Sequence, residues 1–241
     1  MFTKKEYLPL TISILVLIFM FAFDDGGQVF VWNSWLINLV KILVLVIVAI
    51  LFRELIVKIF ARRHDATSEY QLWNIKQIWF KTKLEKGIPF GIFVALIMAF
   101  LSLGKFFFTA IGIHNLTENK HARVGRKHPH LQYYEEAQIV SMGILSSLFL
   151  AVLGILFGRI SGVNISVFVN INFYIALFNL LPFSSLDGAK IFFGSLLTYI
   201  FLLIFVILAF VLLKSGIILA LVIAFIVAVL VMGIYFYSQN R

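Results

Sequence analysis

Long apolar runs separated by short polar segments recur along the whole chain, and they limit its fold more than any other feature. A helix that crosses a membrane needs about 20 apolar residues, because about 30 Å of hydrocarbon is traversed at 1.5 Å per residue. Runs near that length fall at 8–23, 36–59, 88–113, 137–157, 163–181, 191–213 and 217–237. The expected fold class is an all-α polytopic membrane protein: one transmembrane domain, a bundle of about six or seven helices, with a small surface β segment. Residues 62–86 and 114–135 are the polar surface segments of that bundle.

Two of the runs carry alternatives. The first follows Lys4 and Lys5 like the front of a signal peptide, but Phe21-Ala22-Phe23-Asp24 has no small-x-small cleavage site, so a retained anchor is expected. The run at 88–113 is either one crossing or a re-entrant hairpin. Basic residues lie on both sides of it, and Pro89, Gly91, Gly104 and Lys105 favour a break.

Composition agrees with the membrane class. Of 241 residues, 62% are hydrophobic and 13% charged, against a soluble average of about 25% charged. The net charge of +9 is spread over short segments between apolar runs. There it orients a membrane protein against anionic lipid, and no nucleic-acid-binding motif accompanies it. The chain has no cysteine, so any metal would rest on His, Asp or Glu.

Within the first polar segment, Glu69-Tyr70-Gln71-Leu72 alternates polar and apolar, and Trp73 follows, which suits a short surface strand with an exposed edge. Ionisable groups inside spans are the more informative residues, since each is costly to insert. Arg53, Glu54 and Lys58 stand late in the second run, and Asp187 follows the break at Asn179-Leu180-Leu181-Pro182. Pro182 and Asp187-Gly188 both favour unwound backbone. The plain readings are an i, i+4 pair of Glu54 with Lys58 at a helix end, and an interhelical turn in which Asp187 caps the next helix.

Phe178-Asn179-Leu180-Leu181-Pro182 with Leu186-Asp187-Gly188 resembles the second signature of the site-2 protease family, intramembrane zinc metalloproteases. That resemblance implies that Asp187 matches the third zinc ligand. Arg53-Glu54-Leu55-Ile56-Val57, followed by Arg62-Arg63 and the strand-like segment, is similar to the family's His-Glu-x-x-His region in order and spacing. Glu54 then matches the catalytic general base. Arg53 and Val57, however, replace both histidines, and Ser184 and Ser185 stand where many members have proline. Weaker similarity lies at Met142-Gly143-Ile144, so the resemblance spans 42–194.

A hydrolytic zinc site needs three protein ligands and an open position. Arg53 has no lone pair to offer and Val57 has only methyl groups. The expectation is a degenerate member, a pseudoprotease without zinc or another cofactor, in which Arg53 faces Asp187 across the former metal position. His64, His114, His121, His128 and His130 all fall in or beside the polar segments and read as solvated loop residues. Such a protein would sit in the lipid bilayer, with the cell membrane of a prokaryote as the expected location. It would bind or regulate a transmembrane partner, with the strand near Glu69–Trp73 as the pairing edge and no nucleic acid involved. The alternatives are an active intramembrane metalloprotease with an unrecognised ligand, and a transporter or channel.

Overall fold

The first apolar run folds as α1 (Lys4–Ala22), and its start is fixed by Glu6, whose carboxylate turns back to accept the Thr3 backbone N–H at 2.6 Å. The computed structural model describes residues 2–23, 31–78, 82–119, 122, 130–183, 185–212 and 217–239. Side chains at 76–78, 82–86, 212, 217–221 and 237–239 are not described. Asp24, Asp25, Lys81, Lys120, His121, Arg123, Arg126, Lys127, His128 and Ser184 lie outside the described residues.

The second run becomes α2 (Trp32–Arg63), which ends on Arg62 and Arg63, cations suited to the negative end of a helix dipole. Three strands follow: β1 (Ala66–Leu72), β2 (Ile75–Ile78) and β3 (Thr82–Ile88). The run at 88–113 is not one crossing helix. Its helix, α3 (Phe90–Leu101), opens after Pro89 and has 12 residues, about 18 Å at the α-helical rise. The chain then turns through Leu103 and Gly104, both with left-handed backbone, and reaches β4 (Gly112–Glu118). The remaining helices are α4 (Tyr133–Ser161), α5 (Ser166–Asn179), α6 (Asp187–Gly194), α7 (Leu196–Leu212) and α8 (Ile217–Gln239). Extended backbone at Ser195 separates α6 from α7, dividing the expected 191–213 run.

β1 pairs antiparallel with β4, with Ala66 opposite Glu118, Tyr70 opposite His114 and Leu72 opposite Gly112. The strand expected near Glu69 is present, but its partner comes from residues read as the end of a span and the start of a polar loop. β2 and β3 form a separate antiparallel hairpin.

α5 joins the two halves of the core. Ile171, Ile175 and Phe178 pack with α1, α2, α3 and the β1–β4 sheet, whereas Phe173, Ala176 and Leu180 pack with α4, α6 and α7. A helix buried on opposite sides carries apolar residues on both, and the polar Ser166 and Asn170 of α5 are confined to its exposed first half. Among the described residues, three helices, α1, α2 and α4, are long and apolar enough to cross a membrane, and shorter apolar helices accompany them. On α2, Leu36, Val40, Val44, Val48 and Leu51 repeat at helical spacing and are each more than 40% exposed. That is an apolar stripe with no protein against it among the described residues.

Candidate functional site

Four residues of α2 face inward as one turn after another: Arg53, Glu54, Val57 and Lys58 are all buried. Glu54 and Lys58 do not pair with each other. Lys58 Nζ forms its ion pair with Glu6 of α1, and Glu54 turns to Arg53 and His114. Val57, at the position that matches the second histidine, instead packs against α4. A Cβ placed on Gly143 would lie 2.7 Å from Val57 Cγ2 and 3.5 Å from Arg53 Nε, so the absence of a side chain there lets α4 approach the site. Arg53 Nε has no hydrogen-bond partner.

The second motif meets the first at this depth. Asn179 ends α5, donates from Nδ2 to Ile175 O at 2.7 Å and accepts from Arg53 Nη2 at 3.2 Å. The backbone at Leu181, Pro182 and Phe183 is non-helical, as proline requires, and returns so closely that a Cβ on Gly188 would lie 2.3 Å from the Leu180 carbonyl carbon. Asp187 is the first residue of α6, but its carboxylate makes no cap. Leu186 is the N-cap residue, with no side-chain hydrogen bond of its own. Asp187 Oδ2 accepts from Arg53 Nη2 at 2.8 Å. The same guanidinium donates from Nη1 to Glu54 Oε1 at 3.1 Å.

The residue missing from the sequence reading is His114. Expected as a solvated loop residue, it is fully buried on β4, where the alternation of the strand turns it toward the bundle. Its Nδ1 lies 2.6 Å from Asp187 Oδ2, and its Nε2 lies 3.0 Å and 3.1 Å from the two Glu54 oxygens. Carboxylates only accept, so two such contacts require a proton on each ring nitrogen. Burial opposes that charge, but Asp187 and Glu54 outweigh it and hold the His114 pKa above the ordinary histidine value. Two carboxylates are thus balanced by one imidazolium and one guanidinium. Isolated buried charges would cost several kcal/mol each, and the pairing offsets that cost.

Side chains bond the middle of both outer edges of the β1–β4 sheet, so the edge expected to be exposed near Glu69 is partly covered. On β1, the Tyr70 N–H donates to Glu6 Oε1 at 2.9 Å, and Lys58 Nζ donates to Ser68 O at 2.7 Å. Trp73 is buried rather than displayed. On β4, the His114 N–H donates to Asp187 Oδ1 at 3.2 Å, and Lys190 Nζ donates to His114 O. Tyr70 also covers His114, ring edge to ring face at 5.9 Å, with its hydroxyl 2.8 Å from Ser13 Oγ.

Zinc, which the family resemblance brings with it, does not fit this donor set. Glu54 and Asp187 lie at opposite ends of the His114 ring, and Arg53 sits within 3.1 Å of both carboxylates. A cation would have to displace the guanidinium and break a charged hydrogen bond to reach either carboxylate. Among the described residues no group of three His, Asp or Glu side chains is arranged to hold a metal. Of the other histidines, His64 follows the last turn of α2, and His130 is exposed with Nδ1 3.1 Å from Glu118 Oε1.

The comparisons with known proteins add no relative to this picture: no family model, no curated protein and no solved structure matches the chain.

Proposed function

We propose that this chain is a multi-pass membrane protein of the site-2 protease type whose metal centre is replaced by an internal ion cluster, and that it binds membrane-protein partners without cutting them. The observation that carries this reading is the Glu54–His114–Asp187 bridge with Arg53 across it. The residues that match the family's catalytic glutamate and aspartate meet in space, and the charge a metal would supply comes from side chains. The exposed apolar stripe on α2 and the long apolar helices support a lipid environment for the whole bundle.

The proposed mode of binding changes with the side chains bonded along the sheet edges. A partner strand that added to β1 would have to displace Glu6 and Lys58 from Tyr70 N and Ser68 O. The β2–β3 hairpin pairs with no other strand among the described residues, and we take it as the main-chain surface that an extended segment would engage. Partners are therefore expected to engage the hairpin first.

The deciding measurement is metal content of the detergent-purified protein by mass spectrometry, beside Asp187→Ala and His114→Ala. Near-zero zinc in all three is the expected result. One equivalent of zinc in the wild type, lost in both variants, would overturn the proposal. It would make His114 the ligand that the sequence conceals and the protein an active metalloprotease.

A further inference from the structure

Away from the ion cluster, a groove of about 560 Å³ runs between α4, α5 and α7. One end is polar, formed by Arg159, Asn164, Ser166 and Asn170, and the body is apolar, formed around Phe173, Tyr174 and Phe210. A second cavity lined by Leu177 and Val206 shares Phe173, Tyr174 and Phe210 with it, so the apolar channel continues along α5. From Ser166 to Leu177 that path is about 16 Å at the α-helical rise, comparable with much of one acyl chain.

The position of the polar end is the second part of the argument. α4 has 29 residues, about 43 Å in length, which matches a bilayer with its headgroup regions. Arg159 is in the last turn of α4 and so falls at headgroup level when the helix spans. It is exposed and pairs with no described acidic side chain. A cation at headgroup height, opening onto an apolar channel directed toward the bilayer interior, is complementary to one kind of molecule.

We infer that this groove binds an anionic phospholipid, with the phosphate on Arg159 and one acyl chain along Phe173, Tyr174 and Phe210. The inference rests on the bilayer reading of the bundle. Ser166 and Asn170 add hydroxyl and amide donors beside the guanidinium, and a zwitterionic lipid would bring its own cation against Arg159.

The test is native mass spectrometry of the full chain in detergent, titrated with phosphatidylglycerol or phosphatidylcholine of identical acyl chains. Wild-type protein should retain phosphatidylglycerol more strongly, and Arg159→Gln should weaken that retention about fivefold. Asn170→Trp, which fills the exposed groove wall without changing charge, should weaken both lipids. Arg62→Gln, an exposed cation at the end of α2, is the control for general surface charge. Equal retention of the two lipids by the wild type, or equal losses for Arg62→Gln and Arg159→Gln, would overturn the inference. A chain that leaves membranes on alkaline washing would overturn the bilayer reading itself, and that outcome is read independently of lipid preference.

Discussion

On the β1 side of the small sheet, one acid and one base, Glu6 and Lys58, bond the strand edge. On the β4 side, Asp187 and Lys190 do so at the N–H and carbonyl of His114, and Asp187 also belongs to the buried cluster of two acids and two cations. Lys58 lies five residues before the end of α2, whereas Arg53 lies ten residues before it, about 15 Å deep along the axis. A lysine near a helix end can extend its ammonium toward water when its partner is lost. Arg53 and His114 have no such escape. The deeper cluster therefore has to be complete, and the shallower pair can be opened.

The largest effect should follow from breaking the deep cluster at its centre. Asp187→Ala leaves the guanidinium, the imidazolium and the His114 N–H each short of an acceptor, and a loss of about 3–5 kcal/mol is expected. Thermal unfolding in detergent, read by intrinsic fluorescence, measures it. Glu6→Ala at the shallow pair should cost less, about 1–3 kcal/mol, because the groups left short are neutral backbone ones, the Tyr70 N–H, the exposed Thr3 N–H and the Ser68 carbonyl, once Lys58 reaches water. Hydrogen exchange at Tyr70 should rise at the same time. Equal losses for the two variants would erase the distinction between deep and shallow edges.

The two edges should also differ in their response to pH. His114 has a raised pKa in the folded state, so its contribution is fully present below the unfolded-state value of about 6.5 and is lost as pH rises through the folded-state value. The wild type should therefore lose thermal stability on going from about pH 6 to pH 9, and His114→Gln should flatten that slope. Glu6→Ala should leave the slope in place. A slope unchanged by His114→Gln would mean that the ring carries no second proton.

Much of this cluster was legible in the sequence and its central member was not, for a physical reason. Arg53, Glu54 and Asp187 stand out because charge within or beside apolar runs is expensive. Asn179, Pro182 and Gly188 mark an unwound return that places Asp187. His114 sits beyond an apolar run in a segment that also reads as a polar loop. Its burial depends on pairing with β1, across a register that joins Tyr70 to His114. Local pattern does not encode such distant pairing, and Ile113-His114-Asn115-Leu116 runs apolar, polar, polar, apolar, without the alternation that would have marked a strand. The breaks at Gly104 and Ser195 show the same limit: hydropathy finds the runs, while backbone geometry divides them.

The smallest predicted effect tests how closely α4 must approach the deep cluster. Gly143→Ala would place a methyl group 2.7 Å from Val57 Cγ2, and relieving that overlap means moving α4 away from Arg53 and Glu54. Overpacking of this kind costs about 1–3 kcal/mol, partly offset by the better helix propensity of alanine, worth up to about 1 kcal/mol. A net loss of about 1 kcal/mol is expected from thermal unfolding. Val57→Ala removes the methyl groups in the way, so Gly143→Ala should be nearly neutral, or stabilising, in that background. A double-mutant cycle with no coupling between the two positions would show that α4 yields freely here, and that the guanidinium is held by its charged partners alone.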